Sequence, residues 1–410
     1  MFKKLGLFFT SIAPGIFLIG YNIGTGSITT MASSGASFGM TLIWPLFLSC
    51  IFTFFLIMLF GRYTVITGDT ILTAFRKHIG TWIAVFVLLS LLVSEWVSCM
   101  GVMAVITQVF EEWSRPFTNN NQGVNPLITS IIFGALLYYL FWNGHHRFFE
   151  KILTIFVGIM GICFLLTAFI VIPEPAEIVA GLIPSIPDEP NALLVMAGMV
   201  GTTMGAILYV VRSILVQEKG WQIEDLKTER KDALISASAM FILSVAIMAA
   251  AAGTLHVRGL HIENAIDMVS LMEPLAGRLA TSIFVAGIIS AGLSSLFPIV
   301  LLAPWLIADI TQKPRNMRSR QSRLLVLFGV LLGLVVPIFG GRPVLVMIVS
   351  QALITVTTPL ILGIMLYLYN KSSIMGKYRA GAWSNLLQVI ILLFSIFMAI
   401  AGIIGISDLF

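Results

Sequence analysis

Charged residues are scarce in this chain of 410 residues: they make up 10% of it, whereas hydrophobic residues make up 58%. A water-soluble globule of this length needs a far larger charged surface, so the composition excludes a soluble protein. Apolar runs long enough to cross a bilayer recur along the whole chain, which predicts an all-α integral membrane protein. We expect a lipid bilayer around it, and a bacterial inner (plasma) membrane as its location.

Cysteine and histidine are also rare, with three and five residues. All three cysteines fall inside apolar segments, which excludes a disulfide framework. No phosphate-binding glycine loop, Ser/His/Asp set or pair of catalytic carboxylates can be assembled. The sequence therefore predicts neither an enzyme nor a cofactor.

The formal net charge of +5 follows from where the basic residues lie. If the N-terminus is cytoplasmic, nearly all lysines and arginines fall in cytoplasmic loops, and Arg115, Arg258, Arg278 and Arg342 fall outside. This positive-inside pattern predicts a cytoplasmic N-terminus and an external C-terminus. It also accounts for the basic charge without a nucleic-acid partner.

A membrane span needs about 20 mainly apolar residues, and that window predicts eleven spans. The first is expected to be a span and not a removed signal peptide, because its apolar run continues and further spans follow. A mixed-charge cytoplasmic linker, residues 217–232, is expected between the two halves. The predicted spans lie near 6–38, 41–65, 81–109, 126–143, 149–172, 193–217, 233–255, 279–308, 322–339, 344–369 and 383–405.

The first and sixth spans carry small and polar residues at what should be bilayer depth, at 21–27 and 201–206. Backbone that leaves the helix there needs protein, ligand or a water-filled cavity. Paired interruptions of this kind are typical of inverted-repeat transporters with a site at the midplane, although small residues also serve close helix packing. The predicted substrate-binding residues are Asn22, Gly24, Thr25, Gly26, Ser27, Thr202, Thr203, Met204, Gly205 and Gln351.

Glu95, in the third span, is the only carboxylate deep within a predicted span, and Arg212 lies in the sixth span just beyond its interruption. Such residues are costly in a bilayer and are functional candidates. One hypothesis is an ion pair or proton relay between them, in which each offsets the desolvation of the other. The alternative is that Glu95 packs in its protonated form and Arg212 extends its charged end toward the cytoplasm. Asn385, in the last span, is expected to hydrogen-bond between helices.

Five short motifs, in this order and spacing, resemble the Nramp (natural resistance-associated macrophage protein) family of divalent-metal transporters. They are Ala13-Pro14-Gly15, the small-residue run 34–39, Glu263 to Asp267, Gly292 to Ser295, and Ser350-Gln351. The resemblance implies a LeuT-type fold with discontinuous helices 1 and 6. Residues 1–172 and 193–370 would be inverted repeats, joined by an external loop at 173–192 and followed by the eleventh span within 371–410. It also implies proton-linked transport of manganese, iron or similar ions.

The chain departs from the family at its metal site. Gly24-Thr25-Gly26-Ser27 stands where the family has Asp-Pro-Gly-Asn, and Gly205-Ala206-Ile207 stands where it has Met-Pro-His. Of the family's site residues only the glutamine persists, as Gln351, so the metal ligands of this divergent member are unknown.

This departure leaves the substrate open. The resemblance implies a divalent metal cation, whereas a glycine-rich break beside a half-helix N-terminus also suits a small organic solute such as an amino acid or carboxylate. A third alternative is a membrane sensor or scaffold that does not transport.

Overall fold

The computed structural model describes residues 24–118, 121–143, 146–171, 173–265, 267–268 and 273–409, and its regular structure in these ranges is helical throughout. In chain order the α-helices are α1 (Thr25–Phe38), α2 (Ile43–Thr67), α3 (Ile71–His78), α4 (Thr81–Ser114), α5 (Pro126–Asn143), α6 (His146–Ile170), α7 (Pro175–Gly181), α8 (Ala192–Met204), α9 (Ala206–Lys219), α10 (Leu226–Thr254), α11 (Glu273–Thr311), α12 (Arg320–Leu332), α13 (Val335–Phe339), α14 (Pro343–Asn370), α15 (Ser372–Met375) and α16 (Ala382–Ser407).

Within the described residues, nine helical segments are long and apolar enough to cross a membrane. The bent pair formed by α6 and α7 is a tenth candidate. The sequence-predicted spans agree with these helices to within a few residues, apart from longer starts at α10 and α11 and a longer end at α4. Most of the predicted first span lies outside the described residues, so the count of eleven stays a prediction.

Local sequence explains where several helices end. Gly68 terminates α2 in the left-handed conformation (φ 73°), and its N–H donates to the Thr64 carbonyl at 2.8 Å. Glycine adopts this conformation without a steric penalty. The chain then turns at once into α3, whose last turn carries Arg76, Lys77 and His78.

The linker predicted at 217–232 is shorter than expected. Helix α9 continues to Lys219 and α10 already begins at Leu226, so Glu229 and Asp232 are helical and buried. Composition alone suggested a solvated segment. The buried charge of Arg212, described below, explains why these two carboxylates are drawn into the bundle instead.

The interrupted segment α8–α9 is the most buried span of the described chain. Helix α8 packs against α14, α16, α2 and α1, and α9 packs against α2. Helices α4 and α11 pack against each other, and α4 also packs against α14. Among the described residues, the interruption at Gly205 is therefore surrounded by other helices.

Candidate functional site

A small cavity lies at the centre of the bundle, where α1, α4, α8, α9, α11 and α14 meet. Its volume is about 40 Å³, and a single water needs roughly 10–15 Å³ by the same measure. The cavity therefore has room for a few water-sized groups. Among the predicted site residues, its lining includes Gly24, Gly26, Ser27, Thr202, Gly205, Gln351 and Glu95.

The first interruption is shorter on its described side than the sequence suggested. Gly24 is extended, with φ −100° and ψ −169°, and α1 starts at Thr25. Thr25, Gly26 and Ser27 are therefore helical, and the Gly24 carbonyl accepts from the Ile28 N–H at 3.1 Å. The prediction that these residues are unwound is wrong. Asn22 lies outside the described residues.

The second interruption is a single residue. Gly201, Thr202, Thr203 and Met204 complete α8, and only Gly205 is extended, with φ −62° and ψ 137°. The expected break over 201–206 is thus confirmed in place but is much shorter. Helix α14 packs directly on Gly201, where an added side chain would collide with the Gln351 carbonyl oxygen.

Helix α14 also satisfies the backbone that the break releases. The Ala206 N–H donates to Thr358 Oγ1 at 3.2 Å, and Thr358 in turn donates to the Ile354 carbonyl at 2.9 Å. A buried N–H without a partner would cost about 1–3 kcal/mol. The break is therefore a supported feature of the fold.

Helices α1 and α8 meet through their side chains. The hydroxyls of Ser27 and Thr202 lie 2.6 Å apart in a buried hydrogen bond at the cavity wall. This contact ties the first turn of α1 to the last turn of α8.

Gln351 lies against the same wall. Its Nε2 donates to Ser98 Oγ at 3.1 Å and to Ser350 Oγ at 3.2 Å. Both bonds use the nitrogen, and the amide oxygen is an acceptor that can also bind a cation. Glu95 is 2% exposed and lines the cavity from the helix that also carries Ser98. The prediction that Glu95 lies deep within a span is confirmed.

Three predicted binding residues do not line this cavity. Thr203 Oγ1 donates to Ser49 Oγ at 2.7 Å, and its carbonyl accepts from Thr53 Oγ1 at 2.8 Å, so Thr203 fastens α8 to α2. Thr25 and Met204 are buried but are absent from the cavity lining. Their role in substrate binding stays a prediction.

Arg212 has different partners from the one predicted. It is fully buried and forms salt bridges with Asp232 and, at 3.2 Å, with Glu229. Its guanidinium also lies 5.1 Å from the ring centre of Trp221. Neither the ion pair with Glu95 nor an extension toward solvent is found, because two carboxylates of α10 neutralise the charge inside the protein.

The electrostatics of the cavity are set by helix ends as well as by Glu95. The last carbonyls of a helix lack intrahelical partners and carry partial negative charge, which favours cations. Helix α8 ends at Met204, and Gly201 and Thr202 of its last turn line the cavity. Among the described residues no group of three or more His, Cys, Asp or Glu side chains is placed to hold a metal ion. Any cation here would meet mainly neutral oxygen ligands.

Sequence reasoning missed several lining residues, including Ser98, Ser295 and Met347. Ser98 follows Glu95 at the i+3 spacing of one helical face, a signal that points to it once Glu95 is chosen. Ser295 lies in a motif that the family resemblance already contains. For Met347, the only sequence feature that points to the cavity is its position one helical turn before Gln351.

Fold and site together define a polytopic membrane protein with a discontinuous helix beside a central polar cavity. The model of the Natural resistance-associated macrophage protein-like (Nramp) family matches residues 15–405. The chain belongs to this family.

Similar proteins agree with this assignment. The chain is 26% identical over 388 residues to a divalent metal cation transporter MntH of Nostoc sp., covering 90% of this chain and 85% of the relative. It is 24% identical over 412 residues to the MntH of Pectobacterium carotovorum, covering 95% and 94%. A crystal structure of the Eremococcus coleocola manganese transporter has a TM-score of 0.72 at 14% identity and covers 99% of this chain and 87% of that one. The last comparison shows a shared fold.

Proposed function

We propose that this protein is a secondary active transporter that carries a divalent metal cation through the central cavity. The observation that carries the proposal is the family match, which spans nearly the whole chain. The relatives named above are called divalent metal cation transporters, and the solved structure of similar fold is that of a manganese transporter. An organic solute and a non-transporting scaffold receive no comparable support.

The proposed ligands are oxygen atoms from three sides of the cavity. They are the Glu95 carboxylate, the Gln351 amide oxygen and the hydroxyls of Ser27 and Thr202, with carbonyls at the end of α8. Hard divalent cations such as Mg²⁺ and Mn²⁺ prefer oxygen ligands, and Mg²⁺ commonly retains several waters. A cavity with space for a few waters and one carboxylate suits a cation that enters partly hydrated.

Proton coupling is the second part of the proposal. Glu95 is the carboxylate of the cavity, so its protonation would remove the charge that attracts the cation. We place the coupling in an exchange at this carboxylate: Glu95 takes its proton from the outside, and the entering cation displaces that proton toward the inside, so that both move inward in one cycle. Arg212 keeps a supporting role, because its buried salt bridges hold α9 against α10 beyond the break.

The topology is proposed with the function. Residues 1–172 and 193–370 form the inverted repeats, 173–192 the external loop, and 371–410 the last span. The protein crosses the bacterial inner membrane eleven times, with the N-terminus cytoplasmic and the C-terminus outside. The interruption at Gly205 and the start of α1 at Thr25 support this arrangement, because discontinuous helices flank the site in such folds.

Purified protein in liposomes tests the proposal. With Mn²⁺ or Mg²⁺ outside, an inward proton gradient should increase metal uptake, and a dye inside should report acidification. Glu95→Gln should abolish the dependence of uptake on the gradient. Glu111→Gln removes a carboxylate of the same helix outside the cavity and should leave uptake unchanged.

Calorimetry on the same preparation separates the alternatives. Heat of binding with Mn²⁺ or Mg²⁺ supports the metal assignment. No heat of binding with any divalent ion, together with no metal uptake, would overturn the metal assignment. The substrate would then be a small organic solute, or the protein a scaffold that does not transport.

A further inference from the structure

A second and larger cavity lies between α2, α10, α14 and α16 and shares no lining residue with the central one. Its volume is about 340 Å³. Its wall is apolar along α2 and α16 and basic at its edge. This mixture of chemistry is not explained by metal transport.

The position of the lining residues places the cavity at one end of the bundle. Arg62 lies five residues before the end of α2, and Arg230 lies four residues after the start of α10. Tyr369 is the penultimate residue of α14, and Arg379 lies just before α16. Helix ends meet the bilayer at its interface with water, so the cavity faces the depth at which lipid headgroups lie.

The apolar wall runs from that edge toward the bilayer interior. On α2, Phe55 and Leu59 precede Arg62 at the i, i+4, i+7 spacing of one helical face. On α16, Leu387 and Ile391 continue inward from the first turn of the helix. Both stripes offer a hydrocarbon surface below the charged edge.

The edge carries three arginines and one carboxylate, so its charge is positive. Arg62, Arg230 and Arg379 are exposed, and the ion pairs found in the described part of the chain do not involve them. Arg62 lies over the Tyr378 ring at 5.9 Å. Glu229 also lines the cavity, but its carboxylate already binds Arg212.

A buried polar group points to the same conclusion. Tyr369 is 2% exposed and lines the cavity, and its hydroxyl finds no hydrogen-bond partner among the described residues. Buried hydroxyls are nearly always hydrogen-bonded. The Tyr369 oxygen is covered by its neighbours, so a ligand atom reaches it after a small side-chain movement.

We propose that this cavity binds an anionic phospholipid. The phosphate group is held by the guanidinium groups of Arg62, Arg230 and Arg379 and by the Tyr369 hydroxyl, and an acyl chain lies along α2 and α16. Arginine suits phosphate oxygens because its planar fork donates two parallel hydrogen bonds. Basic pockets between membrane helices bind anionic headgroups for the same reason.

Native mass spectrometry of the full-length protein in detergent tests this site. Phosphatidylglycerol should remain bound, and phosphatidylcholine with the same acyl chains should not. Arg62→Gln and Arg379→Gln should each weaken phosphatidylglycerol binding about fivefold, the effect of one basic residue near a membrane surface. Arg62→Lys should recover part of the loss, and Tyr369→Phe should weaken binding without altering the charge. Arg318→Gln, an exposed arginine outside this cavity, is the matched control.

Three results would overturn the proposal. One is equal retention of the zwitterionic lipid, and another is unchanged phosphatidylglycerol binding in both Gln variants. The third is full displacement of the lipid by inorganic phosphate, which would assign the site to a free anion. The melting temperature of each variant without added lipid shows whether a loss reflects misfolding.

Discussion

At the scale of single residues, the cavity depends on Gly26, which has no side chain to fill it. A Cβ added at Gly26 would lie 2.8 Å from Met347 Cε and 3.0 Å from Gln351 Cδ. Both neighbours line the cavity, so their displacement would change its shape. Gly26 therefore preserves the space in which we place the substrate.

We predict that Gly26→Ala lowers metal affinity about tenfold, equivalent to about 1.4 kcal/mol. Alanine is the better helix former in a helix interior, but Gly26 is the second residue of α1 and its Cβ meets Met347, so we expect no gain in stability. Calorimetry and thermal melting would show affinity and stability separately. Gly363→Ala is the control, since its Cβ meets nothing within 4 Å. Unchanged affinity in Gly26→Ala would remove this residue from the site.

Residue chemistry explains which site residues could be predicted. Glu95 and Gln351 stand out because a carboxylate or an amide is costly in an apolar helix. Ser98 and Ser295 do not, because a hydroxyl can bond to its own helix: Ser295 donates to the Ala291 carbonyl at 2.9 Å. Asn385 was correctly predicted to join two helices, since it exchanges hydrogen bonds with Asn370 at 2.7 and 2.8 Å.

At the scale of elements, the break between α8 and α9 is a joint supported by α14. Its one extended residue, Gly205, lies against Ile354, and the released Ala206 N–H is held by Thr358. The composition of residues 201–206 predicted an interruption but could not give its length. Whether a glycine stays helical depends on the neighbouring helix, and that neighbour is about 150 residues away in sequence.

Removing the acceptor should weaken this joint. We predict that Thr358→Val lowers stability by about 1 kcal/mol, because the Ala206 N–H loses its partner while the side-chain shape is kept. Thr357→Val, which removes only a bond to the Ile354 carbonyl of its own helix, should have a smaller effect. Thermal melting in detergent compares them. Equal melting temperatures would mean that the break does not rely on α14.

At the scale of the whole molecule, the length of the apolar runs predicted nearly all the described spans, whereas the partners of the charge inside the bundle were predicted wrongly. Arg212 was considered as a partner of Glu95, yet Asp232 and Glu229 neutralise it. Those carboxylates belong to a stretch with the composition of a solvated linker. Burial of a charge is decided by the pairing of distant segments, which single-sequence patterns do not contain.

The family assignment and the oxygen-rich lining both favour a metal cation as the substrate of the central cavity. We propose that this chain holds its metal there with the Glu95 carboxylate and several neutral oxygens. Manganese is a suitable probe, because it accepts oxygen ligands and scatters anomalously.

Crystals of the full-length protein soaked in Mn²⁺, at a concentration that saturates uptake, provide the most direct measurement. We expect an anomalous difference peak between Ser27, Thr202, Glu95 and Gln351, within coordination distance of their oxygen atoms. Well-diffracting crystals with no peak in this cavity, or with the metal bound elsewhere, would contradict the account.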